Sequence, residues 1–244
     1  MHTVEKKKEQ QKSKKWIWVA AAAVAVLIIA VIVLVAAGSS DKSYPQMEEP
    51  KDSEEVAVMH TSMGDLTLRF FPDIAPKAVE NFTTHARDGY YDGLTFHRVI
   101  ADFMIQGGDP KGDGTGGESI WGGTFAYEIS DQLYHFRGAL AMAHSSLPNS
   151  NGSQFYIVQG SEIDSSLASQ MQAAKFPQKA ISYYQQVGGT PHLDGGYTVF
   201  GQLIDGFDTL ESICSVQTDG SDKPLQSITI DSFEFTTYKE WKNR

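Results

Sequence analysis

Residues 16–37 form an unbroken apolar run, WIWVAAAAVAVLIIAVIVLVAA, which limits what the first part of the chain can fold into. The run has no charged residue in 22 positions. A helix of this length spans about 33 Å, which matches the bilayer hydrocarbon core of about 30 Å. A helix at the end of a chain cannot bury an apolar surface on all faces within a globular core. The run therefore predicts one transmembrane helix.

The flanks of this run predict its orientation. Residues 1–15 carry six lysines against two glutamates, and Lys14 and Lys15 directly precede the run. Because positive charge favours the cytoplasmic side, residues 1–15 are expected to be a cytoplasmic tail, and the chain after Gly38 is expected outside. Val35-Ala36-Ala37 also suits signal-peptide cleavage, but the apolar core of a signal peptide is only about 7–15 residues long. We favour a retained single-pass anchor in the cell membrane over cleavage and secretion.

Charge and side-chain chemistry argue against several functional classes. The net charge is -10 despite the basic tail, so the rest of the chain is strongly acidic. Nucleic-acid binding needs a basic face, and no such partner is expected. The single cysteine, Cys214, cannot form an internal disulfide, and its helical spacing predicts a buried small apolar residue. The histidines show no closely spaced metal-ligand pattern, so no metal site is predicted.

Beyond the apolar run, the chain divides into a polar segment and a folded body. Residues 38–54, GSSDKSYPQMEEPKDSE, have two prolines and no apolar periodicity, and they predict a stalk. Residues 55–71 alternate apolar and polar side chains on both sides of SMGD, which indicates a β-hairpin. Residues 75–89 have apolar side chains at helical spacing, with a proline near the start and a glycine at the end.

Short apolar runs separated by glycine- or proline-containing loops follow, a pattern typical of an all-β barrel or sandwich. These runs are FHRVI, FMIQG, GALAMA, QFYIVQ, YTVFGQLI and LQSITIDSFEF. A further helix is predicted over Phe207–Cys214. Residues 161–189 are rich in Ala, Gln and Ser, and they predict two short helices broken at Pro177 and ended by Gly188 and Gly189.

Four sequence blocks in order resemble the cyclophilin family. They read YYDGLTFHRVIADFMIQGGDP, GDGTGGESIWGG, PNSNGSQFYIV and HLDGGYTVFGQLIDG. The resemblance covers residues 55–236, and its most specific part is FHRV followed shortly by FMIQGGDP. It implies a mainly β fold, an eight-stranded antiparallel barrel closed at each end by a helix. Residues 55–244 are thus predicted to be a cyclophilin-like isomerase domain containing a helical insertion at 161–189.

The resemblance implies peptidyl-prolyl cis-trans isomerase activity. An Xaa-Pro bond rotates slowly because rotation breaks amide resonance. The reaction needs an apolar slot for the proline ring and a donor to the twisted amide, and no nucleophile, metal or cofactor. The expected partners are proline-containing unfolded or extended polypeptides, and the domain is expected to be monomeric. The alternative is a catalytically idle barrel that only binds proline segments.

Matching to the family pattern assigns the predicted site residues. Arg98 corresponds to the catalytic arginine; without the flanking blocks it would be interpreted as a strand arginine in a salt bridge. The resemblance gives the other residues substrate-binding roles: the proline-pocket wall (Phe103, Met104, Tyr156, Leu193), an orienting amide (Gln106), a neighbouring pocket (Gln154) and backbone pairing with substrate (Ala143, His144).

Three positions depart from the commonest family pattern. Tyr156 stands where many members have Phe. His192 replaces a tryptophan that binds cyclosporin in some members, so reduced sensitivity to that drug is expected. Tyr197 stands where a pocket histidine is frequent, and it keeps an aromatic wall. All three remain among the predicted substrate-binding residues, and the insertion at 161–189 is expected beside the peptide groove, shaping substrate choice or decorating the surface.

Overall fold

The computed structural model describes residues 42–244, and residues from Tyr44 to Arg244 form one compact unit. The predicted cytoplasmic tail, the membrane helix at 16–37 and the first residues of the predicted stalk lie outside the described part. Among residues 42–244, no helix is long and apolar enough to cross a membrane.

Eight antiparallel strands form a single sheet in the order β3-β4-β6-β5-β7-β2-β1-β8. The predicted hairpin is confirmed, since the first two strands pair up to a turn closed by Thr61 and Gly64. The strands are β1 (Glu55–Thr61), β2 (Gly64–Phe70), β3 (Arg98–Ile100), β4 (Met104–Gly107), β5 (Ala139–Met142), β6 (Phe155–Val158), β7 (Val199–Asp205) and β8 (Ile230–Thr237).

The sheet curls until the segments next to its two edge strands meet. Thr95, just before β3, forms a bridge with Thr229, just before β8. On either side of this bridge, the backbone N–H of Phe96 donates to the carbonyl of Ile228 at 3.0 Å, and that of Gly93 to Ile230 at 2.7 Å. The predicted mainly β, eight-stranded antiparallel architecture is therefore confirmed as a curled, barrel-like sheet.

The α-helices of residues 42–244 are α1 (Pro76–Arg87), α2 (Ser165–Ala173), α3 (Gln178–Val187), α4 (Phe207–Cys214) and α5 (Tyr238–Lys242). Two of them, α1 and α4, pack into the interior of the curled sheet. Phe82 of α1 packs its ring against Phe155 of β6 and Phe200 of β7, with centroids 5.1 and 5.3 Å apart. Leu210 and Cys214 of α4 enter the same core. Burial raises the pKa of the Cys214 thiol to about 12, so this residue is an apolar core residue, as predicted.

The strands β4, β5 and β6 bury side chains on both faces. Successive side chains of a strand point to opposite faces. Ile105, Leu140 and Phe155 enter the interior core, whereas Met104 and Tyr156 join a second apolar cluster that excludes the interior residues. The outer face of these strands is therefore also apolar, and it supplies the floor of the site described below.

The predicted stalk is wrong for residues 44–54, because this part of residues 38–54 packs on the folded body. Tyr44 is only 2% exposed. Gln46 exchanges two hydrogen bonds, at 2.9 and 2.7 Å, with the backbone of the loop before β5. The buried guanidinium of Arg69 donates to two backbone carbonyls of the segment and to one of its carboxylates. The polar composition predicts a solvated segment, but these polar groups form hydrogen bonds with the folded body instead.

We call residues 161–189 the helical hairpin. Its two helices, the break at Pro177 and the stop at Gly188 (φ +84°) are as predicted. The hairpin has a small core of its own, which it shares with Tyr44 and the loop before β5. The buried members of this core are Tyr44, Tyr134, Phe136, Ile163, Met171, Ala180, Ile181 and Tyr184.

Candidate active site

A row of side chains crosses four neighbouring strands on the outer face of the sheet. Arg98 of β3 pairs with Gln106 of β4, which pairs with Tyr156 of β6, which pairs with Ala141 of β5. Directly opposed residues of paired strands point to the same face, with Cβ atoms about 4.5–5.5 Å apart. Short strands in register thus bring a guanidinium, an amide and an aromatic ring side by side.

Arg98, Gln106 and Tyr156 of this row line a cavity of about 620 Å³. The loops around 143–144 and 193–197 form its rim. Of the eleven predicted site residues, nine line the cavity: Arg98, Phe103, Met104, Gln106, Ala143, His144, Tyr156, Leu193 and Tyr197.

The other two predicted residues, Gln154 and His192, lie next to the cavity rather than in its lining. Gln154 lines an adjoining cavity of about 340 Å³, which Gln106 also borders. The substrate-binding role of Gln154 stays a prediction. The ring of His192 stacks on that of Phe103, with centroids 5.7 Å apart. His192 therefore supports the pocket wall from the side of the helical hairpin.

The apolar part of the cavity is a slot lined by rings and a thioether. Met104 and Tyr156 are 2% and 4% exposed, and they belong to one cluster with Phe103 and Leu193. The ring of Tyr197 meets that of Tyr156 edge-on, with centroids 5.8 Å apart. Burial raises the pKa of Tyr156 well above its ordinary value, so its hydroxyl keeps its proton. Such a slot suits a small apolar ring.

Arg98 lies at the edge of this slot with its guanidinium accessible. Its side chain is 42% exposed, and Nε lies 3.5 Å from a carboxylate oxygen of Asp222. The backbone N–H of Val99 donates to the carbonyl of Asp222 at 2.8 Å, which fixes the two segments together. Within the described residues, no hydrogen bond occupies the two Nη groups of Arg98. They remain free to donate to a ligand.

The amide of Gln106 is oriented by its neighbour Gln154. Nε2 of Gln154 donates to the carbonyl oxygens of Gly114 and Gly116 at 3.1 and 2.8 Å. The Oε1 atom of Gln154 is therefore the acceptor for Nε2 of Gln106, at 2.9 Å. This assignment leaves Oε1 of Gln106 as an acceptor for a backbone N–H of a bound peptide.

The loop that carries those carbonyl oxygens is organised by Asp109. This carboxylate is 1% exposed and accepts from the N–H groups of Lys111, Asp113 and Gly114 at 2.9, 3.2 and 2.6 Å. Burial raises the pKa of Asp109, but the backbone hydrogen bonds outweigh burial and hold that pKa below its usual value. Asp109 thus supports Gln106 indirectly, through the loop and Gln154.

We expect Asp109→Asn to lower the free energy of unfolding by about 1–3 kcal/mol at pH 7, because it removes charge-assisted hydrogen bonds in a buried site. The folded-state pKa lies below the unfolded value of 3.8. The contribution is therefore complete above about pH 4 and is lost as the pH falls through the folded pKa. Urea unfolding of the wild type and Asp109→Asn between pH 2 and pH 7 measures this contribution to the free energy of unfolding. Asp73→Asn, at an exposed position, is the control. A difference that does not shrink in acid would contradict the expectation.

Sequence reasoning did not identify the partners that hold the site residues. His135, Asp194 and Asp222 all contact predicted site residues or their neighbours. Asp194 lies inside one of the four family blocks, but its partners His135 and Tyr184, which are 59 and 10 residues away, lie outside that block. Within residues 42–244, no cluster of three or more His, Cys, Asp or Glu side chains is arranged to hold a metal ion.

Comparisons with known proteins identify the family of this chain. The family model of the cyclophilin type peptidyl-prolyl cis-trans isomerases matches residues 56–235. A protein of Staphylococcus aureus (strain USA300), named "Putative peptidyl-prolyl cis-trans isomerase", is 53% identical over 193 residues, which cover 79% of this chain and 98% of the relative. A protein of the same name from Staphylococcus saprophyticus is 51% identical over the same shares.

A solved structure is also similar. It is the cyclophilin type peptidyl-prolyl cis-trans isomerase of Cryptosporidium parvum, crystallised in the presence of the dipeptide Ala-Pro. It has a TM-score of 0.61 and 38% identity, and the match covers 75% of this chain and 99% of that one. The family model and the two staphylococcal relatives each match well over half of the chain, so this chain belongs to the family of cyclophilin-type peptidyl-prolyl cis-trans isomerases.

Proposed function

We propose that this isomerase accelerates rotation of Xaa-Pro bonds in proteins that fold on the outer side of a membrane, to which residues 16–37 tether it. The observation that carries the catalytic part is that the accessible guanidinium of Arg98 borders the same cavity as the apolar slot. The membrane part rests on the apolar run and the lysines before it.

Arg98 is the proposed catalytic residue. Rotation about the Xaa-Pro bond makes the prolyl nitrogen pyramidal and restores its lone pair. A guanidinium beside the ring hydrogen-bonds to this lone pair more strongly than to the planar amide, so it stabilises the transition state selectively. Raising a rate of about 0.01 per second to about 1–1000 per second requires about 3–7 kcal/mol. One charge-assisted hydrogen bond in a largely dry slot supplies much of this.

The other residues hold the peptide while the bond rotates. Phe103, Met104, Tyr156 and Leu193 enclose the proline ring and exclude water from it. The free Oε1 of Gln106 accepts from a peptide N–H, and the rim at Ala143 and His144 pairs with the extended backbone. Crystallisation of the solved relative in the presence of the dipeptide Ala-Pro supports a proline-containing peptide as the ligand.

Activity is tested with the full-length chain in a protease-coupled assay on a proline-containing peptide. The proposal expects a rate well above that of the peptide alone. A wild-type rate equal to the uncatalysed rate, combined with measurable peptide binding, would favour the alternative of an idle binding module.

The location is tested by tagging the full-length chain at either end and treating intact spheroplasts with protease. We expect the C-terminal tag to be digested and the N-terminal tag to be protected. Protection of both tags until lysis would overturn the outer location. If the N-terminal tag is lost before protease treatment and the domain is released, residues 16–37 are a cleaved signal peptide rather than a retained anchor.

A further inference from the structure

A chain of buried hydrogen bonds joins the floor of the proline slot to the helical hairpin. The hydroxyl of Tyr156 lies 2.9 Å from Nε2 of His135, and Nδ1 of His135 lies 2.8 Å from Oδ1 of Asp194. The other oxygen of Asp194 accepts from the hydroxyl of Tyr184, in α3, at 2.6 Å. His135 is 1% exposed, and the Asp194 side chain is 9% exposed. Water therefore has little access to these hydrogen bonds.

The donors and acceptors along this chain are mutually consistent. The Asp194 carboxylate can only accept, and it accepts from the backbone N–H of His135 at 2.9 Å as well as from Nδ1. Nδ1 therefore carries a proton, which it donates to Asp194, and Nε2 faces the hydroxyl of Tyr156 at 2.9 Å. Burial raises the pKa values of Tyr156 and Tyr184 well above the ordinary value, so both hydroxyls remain donors.

Backbone hydrogen bonds tie the end of the hairpin to the same segment. The N–H of Thr190 donates to the carbonyl of His135 at 2.8 Å, and the N–H of Arg137 donates to the carbonyl of Gly188 at 3.1 Å. Asp194 directly follows the turn Pro191–Leu193, which carries the Leu193 wall of the slot. A shift of α3 would therefore be transmitted to both the wall and the floor of the slot.

We propose that Tyr184 is a positioning residue of the isomerase site, which acts through Asp194 and His135 to hold the Leu193 wall and the Tyr156 ring in place. The helical hairpin is then a working part of the site rather than a surface decoration. This inference rests on the proposed function only in taking the slot as the proline-binding site.

The proposal predicts which kinetic constant changes. Tyr184→Phe leaves the ring packed against Phe136, at 4.7 Å between centroids, but removes one donor to Asp194. Oδ2 of Asp194 loses this partner, while Oδ1 keeps its two bonds to His135, and the turn that carries Leu193 is held less firmly. Because the slot grips the proline ring equally in the ground and transition states, KM is expected to rise about threefold to tenfold, with kcat changed by less than about twofold. The dissociation constant of a proline peptide is expected to rise by the same factor.

Tyr183→Phe is the matched control. Tyr183 precedes Tyr184 in α3 and packs on Tyr44 and Phe136, but its hydroxyl makes no hydrogen bond within the described residues. The control is expected to leave KM and peptide affinity unchanged. Thermal melting of all variants checks that they are folded, and Asp194→Asn serves as the second variant if Tyr184→Phe does not fold.

A double-mutant cycle tests whether the two tyrosines act through one chain. If they do, the double variant Tyr156→Phe/Tyr184→Phe has a KM increase smaller than the product of the two single increases. In the control pair Tyr156→Phe/Tyr183→Phe, the KM increase equals the product of the two single effects. An active wild type with KM unchanged in Tyr184→Phe, or with effects that multiply, overturns this inference alone. A wild type that binds peptide without isomerising it overturns the proposed catalysis, while the peptide affinities still test the positioning role.

Discussion

Replacement of Arg98 by alanine is expected to lower kcat/KM for a proline peptide by about 100- to 1000-fold. The loss corresponds to about 3–4 kcal/mol, the usual contribution of one donor aimed at charge that develops in a transition state. Because the prolyl lone pair exists only in the twisted state, the loss should fall almost entirely on kcat. This contrasts with the KM effect expected for Tyr184→Phe. The measurement is steady-state kinetics on the full-length chain.

Arg87 provides a matched control for Arg98. Its side chain is 43% exposed, against 42% for Arg98, and it also pairs with one carboxylate, that of Glu55 at 2.5 Å. Arg87→Ala removes an exposed salt bridge and a cation–π contact with the ring of Phe235, whose centroid lies 3.7 Å from the guanidinium carbon, with an expected cost to stability of about 1–2 kcal/mol and no kinetic effect. Arg98→Lys should retain part of the rate because it keeps the positive charge. The rest of the rate should be lost because lysine lacks the planar, forked donor geometry of the guanidinium. An Arg98→Ala rate within threefold of wild type would rule out the proposed catalytic role.

The parts of the fold that local patterns determine were predictable. The alternation of residues 55–71 gave the hairpin β1–β2, and the breakers Pro177 and Gly188 gave the two helices of the helical hairpin. Period-two alternation alone does not predict that β4, β5 and β6 bury both faces. Burial of the outer face depends on which loops cover it. The short helix α5 was missed, since its capping by Thr237 and Glu240 is a local signal that was not used.

The contacts that hold the site together were not predictable from one sequence. Gln46 bonds to a loop 88 residues away, and His135 bonds to Asp194 at a separation of 59 residues. Such pairs leave no periodic trace, because each depends on how the sheet curls. The family pattern supplied Arg98, Gln106 and the slot, but it carried no information about partners specific to this chain. For the same reason, the polar composition of residues 44–54 predicts a stalk, although their partners lie in distant parts of the fold.

A large stability effect is expected at Gly189, where the helical hairpin joins the segment that carries His135. This glycine has φ +135°, in a region that other residues rarely adopt, and it forms a bridge with Phe136. A Cβ atom here would overlap the carbonyl oxygen of His135 and lie 2.9 Å from Cα of Phe136. Both obstacles are backbone atoms that hydrogen bonds hold in place, so neither can move aside at little cost.

Gly189→Ala is therefore expected to lower the free energy of unfolding by about 3–5 kcal/mol, the sum of backbone strain and overpacking. Gly195→Ala separates the two contributions, because Gly195 has φ +76° but no heavy atom within 4 Å of an added Cβ. That control should cost only about 1–2 kcal/mol, the price of the left-handed backbone alone. Urea unfolding followed by tryptophan and tyrosine fluorescence measures both, and equal losses would mean that steric overlap at Gly189 contributes nothing. If Gly189→Ala remains folded, displacement of His135 should also raise KM, because the same backbone holds the imidazole that positions Tyr156.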